Sequence, residues 1–106
     1  MQIIDILGTK YELSTATQRE DSRLVGSAGY CDGSAKKIVL ASDLDDGSID
    51  VTDDLKSAQD KITRHEVIHA YFHESGLDGY AENELIVDWI ALQFPKILKT
   101  FEQLGV

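Results

Sequence analysis

The stretch DLKSAQDKITRHEVIHAYFHESG, residues 54–76, decides how the chain is read. It runs without Pro or internal Gly to Gly76, a natural C-terminal stop, and Thr52 or Asp53 can cap its start, so it predicts one long helix over 53–75. Leu55, Ala58, Ile62, His69 and Phe72 share one stripe, which sets the histidine face close to the core side. Every histidine of the chain lies here: His65, His69 and His73.

Residues four apart in a helix stack on one face, so His65 and His69 can direct two imidazoles at one ion roughly 2 Å from each nitrogen. Glu66 is rotated by about 100° from His65, which places it beside such an ion and not on it. A general base for a metal-activated water belongs there, so H-E-x-x-H joins two ligands, a base and an open hydrolytic position. His73 lies about 12 Å along the helix from His65, too far for one ion to bridge. Phe72 stands where the longer H-E-x-x-H-x-x-G-x-x-H pattern needs glycine. His73 therefore reads as a peripheral surface histidine.

A third ligand is sought in AENELIVDW, residues 81–89. Glu84 and Asp88 share a helical face, so Glu84 can reach the ion while Asp88 accepts a hydrogen bond from the outer nitrogen of a ligand histidine. Glu82 is the competitor, but four residues on from it stands Ile86, which offers no such support.

Working outward, QIIDILGTKYELS at 2–14 reads as a hairpin around Gly8, with Ile4, Ile6, Tyr11 and Leu13 at approximately alternating spacing. The polar stretch 15–28 is a connection or a short helical turn. GYCDGSAKKIVLAS at 29–42 is a second hairpin, turning at Asp32-Gly33-Ser34 and returning through Ile38-Val39-Leu40. Six aspartates and no base fall between Asp43 and Asp54. Setting Gly47 at the glycine of a calcium loop puts Ser42 and Leu44 at ligand positions, so the segment reads as a solvated acidic loop long enough to rim a pocket. A further helix starts near Ala81 or Glu82, Pro95 must kink it or open another, and the helical spacing ends at Gly105.

With 106 residues the chain allows one domain, and 42% hydrophobic with 27% charged residues indicates that it folds by itself. Nineteen acidic against ten basic residues give −9, which repels a phosphate backbone and an anionic leaflet, so neither nucleic acid nor membrane is an expected partner. The start MQIIDILGTKYEL lacks a basic n-region and no run of 18 apolar residues occurs, which predicts a soluble, cytoplasmic protein. Cys31, the lone cysteine, reads as a strand residue.

TRHEVIHAYFHESGL followed by AENELIVDWIALQFPKIL resembles the small phage- and prophage-associated zinc metallopeptidase-like proteins related to the ImmA/IrrE group, within the gluzincin class of zincins. ILGTKYEL and GYCDGSAKKIVL are similar to that group's N-terminal strands. The resemblance implies zinc on His65, His69 and Glu84, Glu66 as general base, and Asp88 behind a histidine. It also implies that residues 36–42 pair with an extended substrate along a free edge, and that Tyr80, Tyr71 or His73 is a candidate oxyanion or substrate contact. A phage or host regulatory protein would be the substrate on this resemblance.

The expected architecture is α+β, a minimal zincin-like domain over 1–106. Its parts are strands and loops at 1–52, the active-site helix at 53–75 packed on a small twisted sheet, and C-terminal helices at 82–104. The expected activity is zinc-dependent peptide hydrolysis. A catalytically silent, zinc-stabilised interaction module is the alternative, since it needs the same fold and ion but no base.

Overall fold

The computed structural model describes residues 1–43 and 55–106. The acidic loop expected at 43–54, apart from Asp43, and the helix caps expected at Thr52 or Asp53 lie outside the described residues. β1 (Gln2–Ile6) and β2 (Thr9–Ala16) form the expected first hairpin. Its two-residue turn has φ 50° at Leu7 and 91° at Gly8, the doubly left-handed turn whose twist suits flanking strands. β3 (Gly29–Asp32) and β4 (Lys37–Ala41) form the second hairpin, antiparallel from Gly29 opposite Leu40 to Asp32 opposite Lys37.

The strand order is β1-β2-β4-β3, with β2 and β4 parallel. β4 is therefore central, and the free edge expected along residues 36–42 does not exist; β3 and β1 are the edge strands. Both of its edges are taken, one by β2 and the other by β3, and both of its faces are covered as well. Ile38 packs with Ile6, Tyr11 and Ala70, and with Leu40, on one side; Val39 and Ala41 pack with Leu24 on the other. A strand buried on both faces is written as a continuous apolar run, which is what IVLA is.

α1 (Leu55–Glu74) lies against the sheet through Ala70, whose small side chain permits close approach, and through Ile62. It ends at Gly76, φ 73°, where Leu77 N–H donates to the Phe72 carbonyl and Gly76 N–H to that of His73. Glu74, in its last turn, accepts from Tyr11 Oη at 2.6 Å and Lys36 Nζ at 2.7 Å, joining both hairpins to the helix.

A short helix, α2 (Asp78–Ala81), occupies the link after α1, and α3 (Glu84–Leu104) starts two to three residues later than the spacing suggested. Asn83 sets that start: its side chain accepts from Ile86 N–H at 3.2 Å, filling one of the unpaired donors of the first turn. No new helix opens at Pro95, since α3 is one element across it. Pro95 has no N–H for the Ala91 carbonyl, and Arg64 Nε from α1 donates to that carbonyl at 2.7 Å. The helix break that proline invites is thus turned into a tie between α1 and α3.

Candidate metal centre

His65 and His69 stand one turn apart on α1, their ring centroids separated by 4.9 Å and their Nε2 atoms by 3.2 Å. Glu84, in the first turn of α3, reaches across to both: Oε2 is 2.8 Å from His65 Nε2 and Oε1 is 3.1 Å from His69 Nε2. These three side chains offer one donor atom each within a span of 4.8 Å. Four ligands at about 2.0–2.1 Å around tetrahedral zinc stand roughly 3.3–3.4 Å from one another. The observed separations need to open by only a few tenths of an ångström, so the donor set fits a zinc ion in size. Two imidazoles with one carboxylate also fit it in chemistry.

Both rings have further polar neighbours. His65 Nδ1 lies 3.5 Å from Asp88 Oδ1, and the His69 ring hydrogen-bonds the backbone of Ala81 in α2. Such contacts fix the ring orientation and leave Nε2 facing the other ligands. Burial lowers the His69 pKa, opposed by the Glu84 carboxylate, which favours the neutral imidazole that a metal requires.

Glu66 is 6% exposed and lines the same cavity of about 510 Å³ as the three donors. Among the described residues none donates a hydrogen bond to its carboxyl group, whose oxygens open onto the cavity. Burial first, and the Glu84 carboxylate second, push its pKa up to about 7 in the metal-free chain. A largely desolvated carboxyl facing a cavity in this way is characteristic of functional sites.

Among the lining residues that were not read from the sequence as site residues, three bear on the chemistry. Gly29 is one: a Cβ there would lie 3.0 Å from the Val39 carbonyl and 3.4 Å from Glu66 Cγ, so glycine leaves Glu66 its room beneath β3. A glycine inside a strand pattern was the available signal. Lys61 is the second, four residues before His65, with Nζ 3.3 Å from Asp88 Oδ1. Cys31 is the third; burial pushes its thiol up to about 12, which keeps it protonated, in line with an ordinary strand residue.

The remaining candidates lie elsewhere. His73 Nδ1 pairs with Asp78 at 2.8 Å and its ring closes on the β3–β4 turn. Tyr80 stacks on Phe72 at 6.1 Å, and Tyr71 borders an apolar groove between α1 and α3. None of the three lines the cavity with Glu66. Glu82 is exposed at the end of α2 and is not among the converging donors. No protein-family profile, curated protein or solved structure matches the chain. Among the described residues no helix is long and apolar enough to cross a membrane.

Proposed function

We propose that the chain is a zinc-dependent metallopeptidase of the gluzincin type, hydrolysing peptide bonds with Glu66 as general base. The observation that carries this reading is the meeting of His65, His69 and Glu84 at the wall of one cavity beside a buried carboxyl that no described residue pairs. The likeness of the two quoted segments to the ImmA/IrrE-related group supports it, and with it a phage or host regulatory protein as substrate. Zinc, when bound, supplies Lewis acidity that activates water and polarises a carbonyl.

The chain's own residues orient and move protons around that chemistry. Glu66 accepts a proton from the attacking water and delivers it to the departing amine nitrogen. Asp88 and the Ala81 backbone keep the histidine rings turned so that their Nε2 atoms face Glu84. The task of binding an extended peptide moves from β4 to β3, the edge strand whose residues 29–31 line the cavity. The Ala41 N–H bond to the Ala28 carbonyl sets the alternation along this ladder, so Gly29 and Cys31 turn their main-chain groups to the open side. Ser27 Oγ donates to the Gly29 carbonyl at 2.7 Å, and an incoming strand would replace that bond.

One observation favours the silent interaction module: Phe94, Leu98, Phe101 and Leu104 on α3 are 43–69% exposed. Glu66→Gln separates the two readings. The hydrolase reading predicts that this variant keeps its zinc and loses peptide cleavage. A variant that cleaves as well as the parent contradicts the mechanism, and a zinc-loaded parent that cleaves no peptide supports the module.

A further inference from the structure

Five charged or ligating side chains alternate between α1 and α3 like the teeth of a zipper. Lys61, His65 and His69 form one row on α1 at four-residue spacing, and Glu84 and Asp88 form the facing row on α3. Read across the gap, the contacts run Lys61 to Asp88 at 3.3 Å, Asp88 to His65 at 3.5 Å, His65 to Glu84 at 2.8 Å and Glu84 to His69 at 3.1 Å. We infer that Lys61 is a positioning residue for the metal site: its ammonium holds the Asp88 carboxylate against the outer nitrogen of His65. This inference rests on reading His65, His69 and Glu84 as zinc ligands.

The geometry of Asp88 carries it. One oxygen, Oδ1, meets both Lys61 Nζ and His65 Nδ1, and among the described residues these are its only ion-pair partners. The Asp88 side chain is 50% exposed, so rotamers that turn it into water are open to it unless something holds it. Lys61 supplies that hold from the cavity wall, with its own side chain 38% exposed. The helices themselves are pinned close by, where Arg64 Nε meets the Ala91 carbonyl, so the freedom left at Asp88 is that of its side chain.

A carboxylate behind a ligand histidine fixes the tautomer and strengthens the ligand, and removing it costs about 10–100-fold in metal affinity. Lys61 acts one contact further out, so a loss of about three- to tenfold is expected for Lys61→Met. Zinc dissociation constants, measured by chelator competition on the full chain, test this with Lys61→Met, Lys61→Arg, Asp88→Asn and the Lys61→Met/Asp88→Asn pair. Arginine should restore parental affinity, and Lys61→Met should cost nothing further once Asp88 is asparagine. The metal-free unfolding midpoint of Lys61→Met should match the parent, while the visible spectrum of its cobalt form should shift.

Zinc affinity of Lys61→Met within twofold of the parent overturns the inference, and so do losses that multiply in the double variant. A parent that binds zinc but cleaves no peptide contradicts the hydrolase reading and leaves this inference standing. A parent that binds no zinc overturns both.

Discussion

His65 and His69 in the middle of α1 differ from His73 near its end in what the fold gives them to touch. The first two converge on a carboxylate from another helix, their ring nitrogens 3.2 Å apart, at the wall of a cavity. His73 instead fills the space over Gly33 and bonds Asp78, and its neighbour Glu74 is bound to Tyr11 and Lys36. Each polar group at the end of the helix has a complementary protein partner, as a joint between elements requires. In the middle, like groups are crowded together and Glu66 has no donor among the described residues, an arrangement that the proposed cation and water would complete.

Damage to the joint should therefore cost stability and spare zinc, and damage to the metal donors in the middle should cost zinc. The largest effect is expected for Tyr11→Ala, which removes a side chain with 0% exposure from the core and should cost about 3–5 kcal/mol in urea unfolding. Gly33→Val comes next, because its Cβ would lie 2.9 Å from His73 Cγ; overpacking of about 1–3 kcal/mol is expected, read by the same measurement. Arg64→Met, which cuts a tie between α1 and α3 and leaves the metal donors in place, should cost about 1–2 kcal/mol, since Pro95 cannot supply the donor that the Ala91 carbonyl loses.

Acid should act on the joint in a defined window. Hydrogen bonds from Lys36, Tyr11 and Thr9 hold Glu74 down from its ordinary 4.5 to about 2. A depressed carboxylate contributes stability that is fully present above its unfolded pKa and is lost as pH falls through its folded one. Stability of the parent should therefore fall between about pH 4.5 and 2, and Glu74→Gln should flatten that part of the profile. The smallest effect is expected for His73→Gln, which should change stability by no more than about 1 kcal/mol and leave zinc stoichiometry as in the parent. Loss of zinc in that variant would erase the distinction between the two parts of α1.

Much of this arrangement was legible in the sequence, for reasons that are local. Gly8 and Gly33 mark the two hairpin turns, Gly76 marks the end of α1, and four-residue spacing brings His65 to His69 and Glu84 to Asp88. What escaped depends on elements distant in sequence. The central place of β4 follows from β2 pairing with it in parallel, although the unbroken run IVLA was a usable sign. Pro95 stays within one helix because Arg64, 31 residues earlier, serves the carbonyl it leaves open. Asn83 is the exception, a local cap that was overlooked, whereas Lys61 and Gly29 gain meaning only once α3 and β3 stand beside α1.

The most direct measurement is the zinc content of protein purified without chelator, taken by native mass spectrometry for the parent, His69→Ala and Glu84→Ala. The three-donor account predicts one zinc ion per chain in the parent and a loss of bound zinc in both variants. A parent that carries no zinc, or a Glu84→Ala variant that keeps it as tightly as the parent, would contradict that account.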